Sequence, residues 1–176
     1  TRIIAKNIIN RKIDIAVVGG EIPIQLKKHL FVEDFVEDEF SLIISKSHPF
    51  SSKKKITKDD LYNLNFITLN SNSTIRKFID NILRQNNIEV NQLKIIMQLN
   101  SIEGIKTAVS LGLGAAFVSS SAIEKETELQ TIEIIKIDQI RITRRVSIIS
   151  KPDSYKSKAF QFFSNELNKL KNNIEN

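Results

Sequence analysis

With 176 residues, 41% of them apolar and 26% charged, the chain has the makeup of a globular protein long enough for a core of its own, in one domain or two small lobes. No run approaches the roughly 18 consecutive apolar residues of a membrane-spanning helix, and the absence of Cys excludes a disulfide framework and a thiolate metal site. A formal charge of +6 does not by itself announce a nucleic-acid surface, because Lys is scattered over helices and loops and only Lys53–Lys55 and Arg141–Arg145 cluster.

Thr1 is placed to cap a helix over residues 1–10 that sets Ile3, Ile4, Ile8 and Ile9 on one side. The chain opens directly on this amphipathic helix, without an initiator Met or the basic-then-apolar order of a signal peptide, and reads as a fragment. An apolar strand follows over Ile13–Val18, ended by Gly19-Gly20 and Pro23. Leu30–Val36 and Phe40–Ser45 are predicted as two strands parted by the acidic Glu37-Asp38-Glu39. A polar loop through His48-Pro49-Phe50 and the lysines leads to a short helix, Thr57–Leu61, with acids in its first turn. Phe66–Leu69 is the next strand. After the polar Asn70-Ser71-Asn72-Ser73, the spacing of Ile75, Phe78, Ile79, Ile82 and Leu83 predicts a helix capped by Ser73 or Thr74.

The stretch Lys94–Glu124, KIIMQLNSIEGIKTAVSLGLGAAFVSSSAIE, reads as strand, helix, strand. Lys94–Leu99 is a short apolar run, and Ser101 stands at an N-cap with Glu103 and Gly104 in the first turn. Gly112 sits where the helix end wants a left-handed residue, and Ala115-Ala116-Phe117-Val118 suits a strand buried on both faces. The loops at Asn100-Ser101 and Ser119-Ser120-Ser121 then fall at carboxyl ends of strands, where open α/β sheets place their ligands. Ile132–Ile137 and Arg145–Ser150 complete the strands. A helix from Ser154 to about Leu170 is expected to bury Ala159, Phe160, Phe163, Leu167 and Leu170, and the Asn-rich tail beyond it to be disordered. This alternation predicts an α/β fold with mostly parallel sheets and flanking helices.

The run SIEGIKTAVSLGLGAAFVSSSAI resembles the effector-binding domain of LysR-type transcriptional regulators, and so, in the same order, do TRIIAKNIINRKIDIAVVGGEIP and FITLNSNSTIRKFIDNIL. Within that family the opening Thr-Arg-Ile-Ile-Ala and the Gly-Gly-Glu-Ile-Pro segment are most similar to regulators of the RuBisCO operon in cyanobacteria, autotrophic bacteria and red-algal plastids. The resemblance implies a two-lobed fold of the type 2 periplasmic-binding-protein kind. Residues 1–43 with 146–176 would be what remains of the first, incomplete lobe, and residues 44–145 the second. It also implies a small anionic metabolite as effector, DNA reached through an amino-terminal winged helix-turn-helix domain absent from this chain, and assembly into a dimer or tetramer. The location would be a plastid stroma or a bacterial cytoplasm.

The residues themselves offer little for catalysis. His29 and His48 stand in surface-like contexts, His48 as turn punctuation before Pro49. Glu33-Asp34 and Glu37-Asp38-Glu39 put neighbours on opposite faces of a strand, as solvated edge charge does, and no metal-ligand spacing, P-loop or nucleophile elbow is present. No cofactor, metal or enzymatic activity is expected. Hydroxyls at helix starts are better represented: Thr1, Ser73, Thr74 and Ser101 each head a helix, where N–H groups and the macrodipole favour an anion. In the family, the position matching Thr1 and the loop matching Asn70–Thr74 line the effector pocket. The expected effector-binding set is therefore Thr1, Asn70, Ser71, Ser73, Thr74 and Ser101, with Arg76 close enough to assist unless it faces solvent. The alternative is a stand-alone protein of the same fold, either a solute receptor or an enzyme such as a prephenate dehydratase.

Overall fold

The computed structural model describes residues 1–152 and 157–175. In chain order they form α1 (Arg2–Ile9), β1 (Ile15–Gly19), α2 (Ile24–Lys27), β2 (Phe31–Ser45), β3 (Lys55–Ile56), β4 (Asn65–Leu69) and α3 (Thr74–Gln85). There follow β5 (Lys94–Leu99), α4 (Ile102–Ser110), β6 (Ala116–Ser119), α5 (Glu124–Glu128), β7 (Ile132–Ile137), β8 (Ile142–Ser150) and α6 (Lys158–Glu175). The chain divides into two compact units, Thr1–Asp38 with Arg144–Asn176, and Glu39–Thr143, so that β2 and β8 each run from one unit into the other.

In the first unit β1 pairs antiparallel with β8, Ile15 opposite Ser150 and Gly19 opposite Val146. Ala5 and Ile8, three residues apart on α1, pack with Val18, Leu30 and Ile149 in one apolar cluster. On α6 only part of the expected stripe is inside: Phe160 and Leu167 are buried, whereas Ala159, Phe163 and Leu170 are exposed. Residues seven apart nearly eclipse on a helix, while Phe163 lies roughly 60° off that line, so the contact is a single narrow row. The expected start of this helix at Ser154 lies outside the described residues. Its far end corrects the reading of a disordered tail, since α6 runs through Glu175 and the Lys171 ammonium donates to the Asp34 carbonyl at 2.7 Å.

In the second unit β4 and β5 run parallel, Asn65 opposite Lys94 and Leu69 opposite Leu99. A parallel bridge joins Phe66 to Ala115 just ahead of β6. The crossover helix α4 therefore carries the chain from β5 over β4 to β6, and the predicted strand–helix–strand unit exists with another strand between its two. Beyond β6 the pairing turns antiparallel: β2 meets β6 with Phe40 opposite Ser119, and β7 with Leu42 opposite Ile135. The sheets are thus mixed, parallel at β4–β5 and β3–β7 and antiparallel at β1–β8, β2–β6 and β2–β7. Successive side chains of a strand point to opposite faces. Phe66, Leu42 and Ile44 accordingly pack on one side with Ile79 and Leu83 of α3, while Ile67 and Ile43 pack on the other with Ile105, Ala108 and Val109 of α4.

One expected break and one expected helix differ from what the residues suggested. β2 is one strand of 15 residues and does not stop at Glu37-Asp38-Glu39, where Asp38 and Glu39 pair with Arg144 of β8 and Arg141 just ahead of it. The helix expected at Thr57–Leu61 is a 3-10 turn over Asp59–Asn63, with Thr57 bonded through both its N–H and its hydroxyl to Asp60. The end of α4 follows expectation: Gly112 has φ 77°, its N–H donates to Val109 and the Leu113 N–H to Ala108, which closes the helix in a Schellman turn.

Candidate functional site

In the second unit, five of the six expected site residues come together at the carboxyl ends of β4 and β5. Asn70 follows β4 directly and its N–H donates to the Leu99 carbonyl at 3.2 Å, so the two strand ends stay in register as the chain leaves them. Its side-chain amide donates to Asn100 Oδ1 at 2.6 Å, and its own Oδ1 accepts the Asn72 N–H at 3.0 Å. An Asx turn and a loop-to-loop bond therefore hold the start of α3 beside the start of α4. Ser73 caps α3 by accepting the Arg76 N–H at 3.4 Å, and Ser101 caps α4 by accepting the Gly104 N–H at the same distance. Ser71 and Thr74 are exposed, and the Thr74 hydroxyl makes no hydrogen bond among the described residues. Asn100, which is outside the expected set, joins this group through that bond, and its place directly after a strand matches that of Asn70.

Arg76 does not face solvent. Its guanidinium folds back onto β4, Nε to Asp80 at 2.7 Å and Nη1 to the Thr68 hydroxyl at 2.5 Å, with the side chain only 12% exposed. There it borders a small cavity lined by Phe66, Leu69, Ile79, Leu93 and Ile95, between α3 and the β4–β5 pair.

Thr1 lies in the first unit. It heads α1, but its oxygen accepts no first-turn N–H, and its hydroxyl donates to the Gly19 carbonyl at 2.7 Å. The first-turn N–H groups of α1 consequently receive nothing from the Thr1 side chain. Gly19 is also approached by Arg144, whose guanidinium gives both Nε–H and Nη2–H to Oδ2 of Asp38, at 2.8 and 2.7 Å. The acids and arginines of this region match: Asp34 with Arg145 at 3.1 Å, Asp38 with Arg144, and Glu39 with Arg141 at 2.9 Å. The expectation of solvated edge charge holds for Asp34 but not for Asp38, whose side chain is 12% exposed. It also means that Arg141–Arg145, one of two basic clusters in the sequence, has its charge answered within the chain.

A further buried ion group lies against α4. Lys106, 9% exposed, contacts Glu103 at 2.9 Å and Glu126 at 3.0 Å and donates to the Ala122 carbonyl at 2.8 Å, pinning the segment after β6. The hydrogen bond to Glu103, helped by Glu126, lifts the ammonium above its ordinary pKa against the opposing effect of burial. Burial pushes the Glu126 carboxyl up, but the bond and charge of Lys106 outweigh it and the group ends below its usual range. Glu126 Oε2 is buried with no hydrogen-bond partner among the described residues. His48 accepts the Phe50 N–H at Nδ1, as turn punctuation does, and burial lowers its pKa. No group of three metal-binding side chains exists among the described residues, and none of the helices there is long and apolar enough to cross a membrane.

Residues 2–171 match the family model described as LysR substrate binding domain. The chain is 79% identical over 176 residues to a probable RuBisCO transcriptional regulator of Phaeodactylum tricornutum, covering all of this chain and 57% of the relative. It is 51% identical over 167 residues to the protein of the same name from Porphyra purpurea, covering 95% of this chain and 53% of the relative. The chain thus spans little more than half the length of these relatives. Among solved structures, the regulatory domain of Synechocystis PCC6803 CcmR in complex with 2-PG superposes with a TM-score of 0.81 at 23% identity, covering 98% of this chain and 80% of that one. The effector binding domain of QuiR in complex with shikimate gives 0.74 at 17%, covering 98% and 78%. These likenesses give the fold.

Proposed function

The chain belongs to the LysR substrate-binding-domain family, the ligand-sensing part of LysR-type transcriptional regulators, and from that premise we propose that it binds a small anionic metabolite and controls RuBisCO genes. The proposed contacts are Asn70, Ser71, Ser73, Thr74 and Ser101, with Asn100 added, and, on the strength of the family resemblance, Thr1. The observation that carries this reading is the Asn70–Asn100 bond, which sets two helix starts with their hydroxyls side by side at strand ends. Helix starts stabilise an anion by about 0.3–1 kcal/mol each when exposed and up to about 2 when partly buried, so several converging donors are needed for useful affinity. The uncapped first turn of α1 is a further donor set of the same kind. CcmR is a fold neighbour whose regulatory domain holds 2-PG, which supports an anion of that size.

In the protein as a whole, effector binding would favour one arrangement of a homo-oligomer and so reposition winged helix-turn-helix domains on DNA. A ligand shifts such an equilibrium only as far as its affinities for the two states differ. Relatives from Phaeodactylum tricornutum and Porphyra purpurea, both plastid-bearing algae, support action in a plastid. The relatives are named as transcriptional regulators, which supports this reading over the solute-receptor or enzyme one. Calorimetric titration of the native protein with 2-PG, with shikimate as a contrast, tests the ligand class. Saturable binding of 2-PG is expected; no heat with 2-PG or other small phosphate and carboxylate anions would end the reading.

A further inference from the structure

We propose that Asp38 and Arg144 are positioning residues for the effector contact at Thr1, an inference that rests on the ligand-binding reading above. Gly19 connects them. Its carbonyl takes the Thr1 hydroxyl at 2.7 Å, and its α-carbon faces the Arg144 guanidinium so closely that a Cβ there would lie 3.0 Å from Cζ and 3.1 Å from Nε and Nη1. The guanidinium does not yield as a loose side-chain end would, because a single oxygen of Asp38 holds it through two N–H groups, at 2.8 and 2.7 Å. Neither partner is a solvated surface charge, with 22% of the Arg144 side chain exposed and 12% of Asp38. The backbone fixes the same turn from a third direction, the Gly20 N–H donating to the Arg145 carbonyl at 3.0 Å.

The consequence falls on α1. The Thr1 hydroxyl spends its proton on Gly19 and does not cap the helix, so the place of the uncapped first turn follows the place of the Gly19 carbonyl. A charged pair packed against the α-carbon of the glycine whose carbonyl holds Thr1 thereby sets where a ligand anion meets the N–H groups of α1. The sequence hides this, because Asp38 and Arg144 are 106 residues apart and each sits in a cluster of like charge.

The test uses the native protein with its complete sequence and 2-PG as the probe. Gly19→Ala inserts a methyl group into the guanidinium without changing any charge, and Asp38→Asn with Arg144→Met removes the pair without leaving a lone buried carboxylate. Both are expected to weaken 2-PG binding about tenfold and to add little to Thr1→Val in a double-mutant cycle, since all act on one contact. Arg144→Lys, which keeps the charge but not the two-pronged fork, is expected not to restore affinity. Amide exchange should quicken at Gly20 and the first turn of α1 more than elsewhere. Native affinity in both Gly19→Ala and the charge-free double variant, or losses that add fully to Thr1→Val, overturns the proposal while leaving the ligand reading intact. Failure of the unaltered protein to bind 2-PG removes that reading and this proposal together.

Discussion

Asn70 donates its side-chain amide to Asn100 Oδ1 at 2.6 Å across 30 residues of sequence, and this bond ties the loop after β4 to the loop after β5. It is exposed, so its net worth to folding is about 0.5–1.5 kcal/mol at most. Its effect on binding should be larger, because it fixes two helix starts relative to each other. Asn100→Ala is expected to lower the melting temperature slightly and effector affinity clearly. Equal affinity in calorimetric titration of variant and native protein would show that the bond orders the loops without shaping the site.

Gly114 has almost no room for a side chain: a Cβ would lie 2.7 Å from the Asn65 carbonyl oxygen, a backbone atom of the neighbouring β4. Gly104, on α4, would meet only ordinary contacts at 3.6 and 3.8 Å. Opposite signs follow. Gly114→Ala should destabilise by about 1–3 kcal/mol through overpacking, and Gly104→Ala should stabilise by up to about 1 kcal/mol through helix propensity. Denaturant midpoints of the two variants decide the matter, and a neutral Gly114→Ala would mean that β4 and the approach to β6 can part without cost.

These glycines also mark how far sequence reasoning reached. Gly112, Ser101 and the α4 stripe were legible because helix ends, caps and periodicity are set within a few residues. The order β5, β4, β6 was not, since pairing depends on contacts far apart in the chain. The same blindness split β2 in two: Glu37-Asp38-Glu39 looks like a polar break until Arg141 and Arg144 arrive from residues 102 and 106 further on. It also made Thr1 a cap, whereas the bond its side chain makes is to the Gly19 carbonyl, 18 residues away. Of the expected site residues, the five in the second unit could be grouped from sequence because each adjoins a strand end or helix start. Asp38 and Arg144 carry no such local sign.

The Lys106–Glu126 pair predicts a sign for acid stability. Glu126 has a lowered pKa in the folded chain, so its contribution is present above its unfolded pKa, near 4.5, and is lost as the pH falls through the lower folded value. Lys106 is raised, so its contribution is complete below about 10.5 and is lost only as alkali passes the folded value. Both are therefore in place at neutral pH. Lys106→Met leaves Glu126, already with one oxygen unpartnered among the described residues, as an uncompensated buried carboxylate, at a cost of about 1–3 kcal/mol. Adding Glu126→Gln should recover most of it. Thermal melts at pH 7 and pH 4 should show the gap between Lys106→Met and native protein shrinking in acid; a gap that stays constant would remove the ion pair as its cause.

The pairing of Arg141, Arg144 and Arg145 with Glu39, Asp38 and Asp34 bears on DNA. Arginines already matched by carboxylates make a poor phosphate track, and among the described residues the fold offers no paired helices presenting a recognition helix to a groove. This chain alone is expected to bind DNA weakly, without sequence preference, and to release it as salt rises. Sequence-selective retardation by the isolated chain at physiological salt is the result that contradicts this.

Thr74 separates the two roles that a hydroxyl at a helix start can play. From sequence it shares the cap of α3 with Ser73, but the cap bond belongs to Ser73, and Thr74 stands exposed at the first helical position. Ser73→Ala should therefore cost about 0.5–2 kcal/mol of stability, the usual loss of a cap. Thr74→Ala should cost less than about 0.5 kcal/mol, as exposed substitutions away from special features do. If Thr74 contacts the effector, its substitution weakens binding while leaving the melt unchanged, a separation that Ser73→Ala cannot produce because it disturbs helix and site together. Titration with 2-PG beside thermal melts of both variants reads this directly. Native affinity in Thr74→Ala would take Thr74 out of the site and leave the helix start of α3 acting through its backbone N–H groups alone.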